Sequence, residues 1–266
     1  MGGNREAEMA EKPVIGFVGV GLMGWGMAKN AVEKGYPLRV MAHRKREAVE
    51  DLVGRGAVEV TDLDAMAAEA DAIVLCVTGS PEVEATLAAL VPVARNGLTV
   101  IDCSTSDPQV TERLAAELAG KGITLIDAPL SRTPAHALKL INNLVSLGYA
   151  AIWSECFGMV RKIGVEPGVF HEVLSNSGMN CGNFQNFAKY PVEGDPNGHK
   201  FTIANAFKDL GYYSRLATRH QAATLMSDGA LQTLKFGMAM GMGERFIPEM
   251  ADIVLGLNEP KRQAGE

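Results

Sequence analysis

The sequence predicts an α/β protein in which a doubly wound parallel sheet is followed by an all-helical region, with a long helix joining the two. Six short apolar stretches of strand type alternate with helical patterns up to about residue 130. From about residue 135 the strand patterns vanish, and nearly every stretch has helical periodicity. Alternating strands and helices are typical of a parallel sheet covered by helices, so the change near residue 135 predicts two domains.

The bulk properties argue against several classes of protein. The chain has 266 residues, of which 47% are hydrophobic and 21% charged, and its formal charge is −6. This composition is ordinary for a globular enzyme, whereas the acidic balance argues against a nucleic-acid surface. Apolar runs fall short of a membrane helix, and residues 1–12 lack the pattern of a signal peptide. We therefore expect a cytoplasmic protein with no nucleic-acid or membrane partner.

The four cysteines lack the spacing of a metal site. Cys76, Cys103, Cys156 and Cys181 form no C-x-x-C pair and no Cys/His ligand pattern. We expect reduced, mostly buried thiols and no bound metal.

The first predicted strand runs into a glycine-rich turn. Residues 14–18 are of strand type, Gly19, Gly21 and Gly24 follow as G-x-G-x-x-G, and a helical pattern then extends to Gly35. In a dinucleotide site, Gly19 permits the tight turn, Gly21 lets backbone approach a pyrophosphate, and Gly24 lets the helix pack on the strand. The phosphates would lie at the partially positive helix N-terminus. Such a turn can also merely connect two elements, but its context favours dinucleotide binding.

The other elements of the first domain follow in order. Strands are predicted at 38–42, 57–60, 72–77, 98–102 and 123–127. Helices are predicted at 46–53, at 62–69 with Asp62 as the N-cap, at 81–90 with Pro81 in the first turn, and at 108–120. The run 72–77 is apolar throughout, as expected of a strand buried on both faces of a parallel sheet. Residues 13–134 are therefore assigned to a Rossmann-type nucleotide-binding domain.

Residues 135–266 are predicted to form a helical substrate and oligomerisation domain. Its first helix, 135–163, would be about 40 Å long at 1.5 Å per residue, which suits a helix that links two domains. Further helices are predicted at 167–174, 184–189, 203–218, 229–238 and 248–257.

The end of the second strand predicts which nicotinamide cofactor is bound. An NAD site usually has a carboxylate here, which holds the ribose 2′-hydroxyl. This chain instead has His43, Arg44, Lys45 and Arg46, and the first carboxylate after this strand is Glu47. Arg44 can hold a 2′-phosphate through two parallel hydrogen bonds. A solvated basic loop is the alternative, but cations are unfavourable at a helix start, so we expect NADP(H).

Three stretches carry candidate chemical groups. Residues 102–106 end the fifth strand, where doubly wound sheets bind ligands, although a turn and N-cap would use the same residues. Residues 127–133 end the sixth strand, or form a plain turn into the long helix. Lys139 and Asn143 share a helix face and could protonate and orient a carbonyl oxygen. An exposed polar stripe would show the same spacing.

Together these motifs resemble those of the β-hydroxyacid dehydrogenase family. They occur in the family's order, at 19–24, 27–30, 102–106, 127–131, 139–143 and 208–210, and they cover almost the whole chain. The resemblance implies a Rossmann domain, a long interdomain helix and an all-helical domain that forms a homodimer or homotetramer. It also implies an enzyme that interconverts a small acidic aldehyde and the corresponding 3-hydroxy acid, for which residues 43–46 predict NADP(H) as the cofactor.

The resemblance implies roles at the substrate. Lys139 would be the catalytic acid/base, and Asn143, with Asn142, would bind and orient the substrate. The substrate's anionic group would be held by Ser131, Arg132 and Thr133.

It also implies contacts with the cofactor. Thr105 would lie on the nicotinamide side, and Lys208 would close over the cofactor. The other contacts would come from Gly19, Val20, Gly21, Leu22, Met23, Gly24, His43, Arg44, Lys45, Val77 and Thr78.

Two features depart from the family pattern. Family members typically read Ser-Gly-Gly where this chain reads Ser131-Arg132-Thr133, and the Arg-Thr pair resembles sulfolactaldehyde reductases. We therefore expect the substrate's anion to be a sulfonate, or a carboxylate held more tightly. The family also inserts a few dozen residues between Ser131 and Lys139, where this chain has only residues 132–138.

This short connection leaves an alternative open. An NADP-binding module with little or no dehydrogenase activity would keep the glycine turn and lose a working pair of Ser131 and Lys139. The presence of Lys139 and Lys208 favours the enzyme. An imine reductase is a further alternative, although such enzymes usually lack lysine at the position of Lys139. The leading hypothesis is an NADPH-dependent reductase of a small acidic aldehyde that also acts in reverse.

Overall fold

The structure, a computed structural model, describes residues 12–42, 46–130 and 136–258. The chain divides into two compact units, Met1–His136 and Ala137–Glu266. Each unit has hydrophobic clusters of its own: two in the first unit and one in the second, within the part of the chain that is described.

The first unit is built on a parallel sheet. Its described strands are β1 (Ile15–Val18), β2 (Leu38–Val40), β3 (Val58–Glu59), β4 (Ala72–Leu75), β5 (Thr99–Asp102) and β6 (Thr124–Asp127). Their order is β3-β2-β1-β4-β5-β6, and every pairing is parallel. The winding reverses between β1 and β4, and sheets of this kind bind ligands at such a switch point, outside the carboxyl ends of the strands. The predicted doubly wound sheet is confirmed.

Helices connect the strands. They are α1 (Leu22–Glu33), α2 (Glu47–Gly54), α3 (Leu63–Glu69), α4 (Ser80–Leu90) and α5 (Pro108–Ala119). Asp62 caps α3 as predicted, since its carboxylate accepts the Ala65 N–H at 2.8 Å. Asp107 caps α5 by accepting the Gln109 N–H at 3.1 Å. These caps satisfy N–H groups that a helix start leaves without intrahelical partners.

The described part of the second unit is helical apart from an isolated β-bridge between Thr202 and Phe246. Its helices are α6 (His136–Lys162, which begins at the last residue of the first unit), α7 (Pro167–Ser175), α8 (Gly182–Glu193), α9 (Ile203–Arg219), α10 (Leu225–Ala239) and α11 (Met250–Asn258). Short 3-10 helices span Pro196–His199 and Ile247–Glu249. The predicted long helix is confirmed as α6. Trp153 and Phe157 of α6 pack against Phe184 and Phe187 of α8 in the core of this unit.

Two helices are longer than the sequence pattern predicts. Helix α10 begins at Leu225 rather than at residue 229. Helix α8 runs beyond the predicted 184–189 although it contains Pro191, a residue that usually ends a helix. The Cys181 thiol caps its start by accepting the Phe184 N–H at 3.4 Å, and Arg161 donates to the Pro191 carbonyl at 3.0 Å. These contacts stabilise both ends of a helix that Pro191 weakens.

The expectation of mostly buried thiols is wrong. All four cysteines lie in the described part of the chain and form no disulfide, but Cys103 is buried, Cys76 and Cys156 are half-buried, and Cys181 is exposed. Cys181 is exposed because it caps α8 at the surface. None of the described helices combines the length and the apolar character needed to cross a membrane.

Candidate functional site

The glycine turn after β1 is dictated by close backbone contacts. Gly19 has a φ of +95°, and a Cβ there would lie 2.2 Å from the Cys76 carbonyl oxygen. At Gly24 a Cβ would lie 2.0 Å from the Gly19 carbonyl oxygen. A side chain at either position would collide with backbone, so the first and third glycines have the turn and packing roles that the motif predicts.

Gly21 differs from the other two glycines of the motif. A Cβ built at Gly21 meets nothing within 4 Å, so the protein itself does not require glycine here. Gly21 is the N-cap of α1 and provides no side-chain cap, while Leu22 and Met23 in the first turn are 74% and 62% exposed. Open space in front of an uncapped helix N-terminus fits a pyrophosphate group, because N–H groups there attract anions.

The ends of β2 and β3 form a concavity of about 430 Å³ whose lining includes Met41, Arg46 and Glu59. Arg46 donates to Glu59 at 3.0 Å and to Glu50 at 3.4 Å. One of the cations predicted to favour a 2′-phosphate is therefore already paired with carboxylates. The other predicted residues, His43, Arg44 and Lys45, lie outside the described residues.

In the turn after β5, the polar side chains of Asp102, Ser104 and Ser106 are buried. The buried Asp102 accepts hydrogen bonds from the Ser104 N–H and the Ser106 hydroxyl, both at 2.9 Å. The Val77 N–H donates to the Ser104 hydroxyl at 3.0 Å, which ties the ends of β4 and β5 together. Of the predicted cofactor contacts nearby, Thr78 is exposed and Thr105 is half-buried. Asp102, Ser104 and Ser106 thus have a structural role, as the turn alternative predicts.

A buried histidine holds the end of the first unit. His136 is 1% exposed, and its Nδ1 lies 2.8 Å from Asp127 Oδ1 at the end of β6. Its backbone N–H donates to the other oxygen of Asp127 at 3.1 Å, and its Nε2 lies 3.1 Å from the Ser104 carbonyl oxygen. Thr111 of α5 contacts Nδ1 at 3.3 Å. These contacts join residues on either side of 131–135, so the short connection has fixed ends.

The second unit contains a cluster of charged and amide groups that is largely buried. Lys139 is 9% exposed and Asp209 of α9 is 2% exposed. The Asn143 amide donates to Asp209 Oδ2 at 2.8 Å, and Lys208 Nζ lies 3.0 Å from Asp209 Oδ1. Burial raises the pKa of Asp209 above its ordinary value, while the charges of Lys208 and Lys139 and the Asn143 amide partly oppose the rise. The cluster thus brings one carboxylate, one amide and two ammonium groups together.

The structure brings some predicted site residues together and not others. Lys139, Asn143 and Lys208 meet at Asp209, whereas Asn142 is exposed. The predicted anion-binding residues Ser131, Arg132 and Thr133 lie outside the described residues. No group of three or more His, Cys, Asp or Glu side chains suited to a metal occurs among the residues described.

Two buried polar residues of these sites, Asp209 and His136, are not predicted from the sequence. Asp209 lies in the motif at 208–210, but the sequence pattern gives it no role. Its position between the apolar residues Ala206 and Leu210 is nevertheless a sign that its carboxylate is buried and paired with a cation or donor. His136 gave no comparable signal, because its partners come from three separate elements.

The strand order and the glycine turn define the first unit as a dinucleotide-binding Rossmann domain. Residues 14–166 match the family described as the NAD binding domain of 6-phosphogluconate dehydrogenase. Residues 134–251 match the family described as NAD-binding of NADP-dependent 3-hydroxyisobutyrate dehydrogenase. The chain belongs to the β-hydroxyacid dehydrogenase family and is an oxidoreductase of the hydroxyacid dehydrogenase type.

The names of individual relatives are consistent with membership of this family. The chain is 25% identical to mitochondrial 3-hydroxyisobutyrate dehydrogenase of Bos taurus, over 89% of this chain and 85% of the relative. It is also 25% identical to 3-sulfolactaldehyde reductase of Escherichia coli K12, over 87% of this chain and 92% of the relative. The present structure superposes on the crystal structure of a 3-hydroxyisobutyrate dehydrogenase from Salmonella typhimurium with a TM-score of 0.82. The two sequences are 20% identical, and the superposition covers 91% of this chain and 100% of that chain. At that identity the structure supports the fold alone.

Proposed function

We propose that this protein is an NADP-dependent oxidoreductase that interconverts a small acidic aldehyde and the corresponding 3-hydroxy acid, with Lys139 as the acid/base. The observation that carries the proposal is the buried cluster of Lys139, Asn143 and Asp209 in a chain of this family. A lysine that is largely buried in a helical domain is unusual unless paired or functional. Relatives named for 3-hydroxyisobutyrate and for sulfolactaldehyde support the substrate class.

A bound nicotinamide cofactor would supply or accept the hydride. In the reducing direction, Lys139 Nζ would donate a proton to the carbonyl oxygen of the aldehyde, and in the oxidising direction it would accept the proton from the hydroxyl. Asn143 would bind the same oxygen. One N–H of its amide is held by Asp209, which fixes the plane of the amide and thereby its direction toward the substrate.

Lys208 and Asp209 would set the electrostatics around Lys139. The Asp209 carboxylate compensates positive charge from Lys208 at 3.0 Å and from Lys139. Without this anion, two ammonium groups would repel one another in a region of low dielectric. The same contact would hold Lys208 in place. We propose that Lys208 lies over the cofactor.

The nucleotide would be held by the first unit. The fit of a pyrophosphate to the open space at Gly21 supports residues 19–24 as the phosphate-binding turn. Val77, Thr78 and Thr105 are proposed as further contacts with the cofactor. The choice of NADP rests on Arg44, flanked by His43 and Lys45, and agrees with the family name matched by residues 134–251.

The substrate's anionic group would be bound by Ser131, Arg132 and Thr133. Arginine offers a planar fork of donors that suits carboxylate and sulfonate alike. The similarity to a 3-sulfolactaldehyde reductase supports a sulfonate among the substrates to be tested.

The short connection supports a second candidate function, an NADP-binding module with little dehydrogenase activity. The alignment with the bovine relative spans 287 positions, which exceeds the 266 residues of this chain, so part of the relative has no counterpart here. The contacts of His136 with Asp127 support the enzyme instead, because they hold the ends of the connection.

The remaining assignments are also proposals. We propose residues 13–134 as the nucleotide-binding domain and 135–266 as the substrate and oligomerisation domain, in a cytoplasmic homo-oligomer.

The substitution Lys139→Ala tests the role of the lysine. We expect kcat to fall by roughly 10²-fold or more, the size expected when an acid/base group is lost, while the Kd for NADPH stays nearly unchanged. Steady-state rates and titration of NADPH fluorescence measure the two quantities. Lys162→Ala, an exposed lysine of the same helix, is the matched control. An equal loss of turnover and of NADPH binding in Lys139→Ala would contradict the assigned role.

A further inference from the structure

Two of the four cysteines follow neighbouring strands at the carboxyl edge of the sheet. Leu75 of β4 pairs with Asp102 of β5 in the parallel register, so Cys76 and Cys103 come next on the same two strands. The Cys103 N–H donates to the Leu75 carbonyl oxygen at 2.7 Å, which continues the ladder by one residue. The pairing of β4 with β5 therefore places Cys76 opposite Cys103.

The two thiols belong to the same face of the sheet. Val74 and Cys76 pack against one hydrophobic cluster of the first unit, whereas Leu75 between them belongs to the other cluster. This is the alternation expected along a strand, where residues two apart share a face. Ile101 is the register partner of Val74, so Cys103, two residues after Ile101, shares the face of Cys76.

The spacing of the pair suits a strained disulfide. Neighbouring strands are about 4.7–4.9 Å apart, which lies within the range of roughly 4.4–6.8 Å between Cα atoms that a disulfide joins. Cβ atoms on parallel strands start at a similar separation, whereas a disulfide holds its Cβ atoms about 3.8 Å apart. Bond formation would therefore draw the two strand ends together by roughly 1 Å, and strained disulfides are the ones most readily reduced. Such a pair suits reversible oxidation.

A small oxidant meets one of the two sulfurs first. Cys76 is half-buried, whereas Cys103 is 8% exposed. The face of the sheet that they share is only partly covered: Ile101 is half-buried, and its register partner Ile126 of β6 is 43% exposed. Cys76 is thus the accessible thiol, and Cys103 is the partner that can close the bond.

We propose that Cys76 and Cys103 are an oxidation-sensitive dithiol, which forms an intramolecular disulfide in the presence of hydrogen peroxide. The Cys76 sulfur attacks one oxygen of the peroxide and the O–O bond breaks, which gives a sulfenic acid and one water that takes up the thiol proton. The Cys103 sulfur then attacks the Cys76 sulfur. The S–S bond forms, the S–O bond breaks, and the hydroxide leaves as a second water with the Cys103 proton.

The electrons of this reaction balance. The two thiols together lose two electrons, and the peroxide gains two and becomes two waters. A dithiol reductant reverses the reaction by thiol–disulfide exchange, in which its own sulfurs are oxidised to a disulfide.

The disulfide would act on the glycine turn through the backbone of Cys76. A Cβ at Gly19 would lie 2.2 Å from the Cys76 carbonyl oxygen, so the turn packs directly on the segment that bond formation displaces. Packed backbone transmits such a displacement, because protein interiors have little free space. We expect oxidation to weaken NADPH binding roughly fivefold or more, at the lower end of typical couplings between sites. This consequence rests on the proposed function, whereas formation of the disulfide does not.

Oxidation of the variant Cys156→Ser/Cys181→Ser tests the pair directly, because only Cys76 and Cys103 remain of the four cysteines. We expect hydrogen peroxide to block both thiols from iodoacetamide in the unfolded chain, and dithiothreitol to restore them. Arg95 lies between the two cysteines, so trypsin leaves them on separate peptides that only a disulfide joins. Absence of the joined peptides from oxidised, monomeric chains would overturn the proposal. Oxidised wild type should give the same joined peptides, which keeps the test valid if the two serines disturb the fold.

NADPH titration by fluorescence measures the effect on the turn. Oxidation should lower the affinity of Cys156→Ser/Cys181→Ser, and dithiothreitol should restore it. The matched control adds Cys76→Ser to this variant, and its affinity should be the same before and after oxidation. A disulfide that leaves the affinity unchanged, or an equal loss in the control, would contradict the coupling to the turn. Reduced protein that binds no NADPH would contradict the proposed function instead, while the joined peptides still decide whether the dithiol is oxidised.

Discussion

At the scale of single residues, Asp209 is the group on which the other members of the candidate site depend. It holds the Asn143 amide at 2.8 Å and Lys208 at 3.0 Å, and it is buried beside Lys139. A buried carboxylate of this kind is retained only where cations and donors surround it. Its removal should therefore affect both the pH dependence of stability and the alignment of Asn143.

Asp209→Asn should alter how stability depends on pH. The pKa of Asp209 is raised above its ordinary value of 3.8, mainly by burial. The folded chain thus binds this proton more tightly than the unfolded chain, so the stabilisation is present at low pH and is lost as pH rises through the raised pKa. The free energy of unfolding of Asp209→Asn, relative to wild type, should increase from about pH 4 upward and then level off.

Urea unfolding at intervals between pH 4 and pH 8 measures this difference. Glu172→Gln, which neutralises a carboxylate at an exposed position of the same unit, is the matched control. If the free energy of unfolding of Asp209→Asn differed from that of wild type by the same amount at every pH, the titration of Asp209 would not contribute to the pH dependence of stability.

His136→Ala should destabilise the first unit. The substitution leaves buried acceptors of Asp127 and Ser104 without the imidazole, which should cost about 2–4 kcal/mol in the free energy of unfolding. Thr111→Val removes two hydroxyl contacts of 3.3 Å, one with the same ring and one with the Asp107 carbonyl oxygen, and should cost about 1 kcal/mol. Urea unfolding followed by circular dichroism compares the two. Similar losses in both variants would mean that the imidazole contacts add little.

At the scale of structural elements, the glycines of the turn between β1 and α1 have different roles: Gly24 is required for the fold, whereas we expect Gly21 to be required for cofactor binding. Gly24→Ala should destabilise the fold by more than about 2 kcal/mol, because its Cβ would lie 2.0 Å from a backbone oxygen. Gly21→Ala should change stability by no more than about 1 kcal/mol, since its Cβ meets open space. It should nevertheless weaken NADPH binding by roughly tenfold or more, about 1.4 kcal/mol. Unchanged NADPH affinity in a folded Gly21→Ala would mean that the phosphates do not approach this turn.

Most elements could be predicted from the sequence because their signals are local. Apolar runs bounded by glycines defined the strands, and Asp62 and Pro81 marked helix starts. Helix α8 was predicted too short because Pro191 is a local sign of an ending, whereas Arg161, which supports the helix there, is distant in sequence.

The candidate site could be predicted less completely. Lys139 and Asn143 follow from a spacing and a resemblance, but their shared partner Asp209 lies 66 residues after Asn143. Contacts of this length depend on how α6 packs against α9, which no local pattern records. The contact between His136 and Asp127 is hidden for a similar reason, since it depends on where β6 and α5 place their side chains.

At the scale of the whole molecule, the central question is whether the short connection between residues 131 and 139 allows catalysis. The buried contacts of His136 at one end of the connection and the cluster around Asp209 in the second unit support a working enzyme. The shortened chain, in comparison with the bovine relative, supports a binding module instead.

The most direct test is turnover of a panel of small aldehydes carrying a carboxylate or a sulfonate, with NADPH and with NADH, by wild type and by Lys139→Ala. We expect NADPH oxidation by wild type with at least one of these aldehydes, a higher kcat/KM with NADPH than with NADH, and loss of turnover in Lys139→Ala. Tight NADPH binding without turnover of any acidic aldehyde, or of the matching hydroxy acids with NADP⁺, would contradict this expectation and favour the binding module.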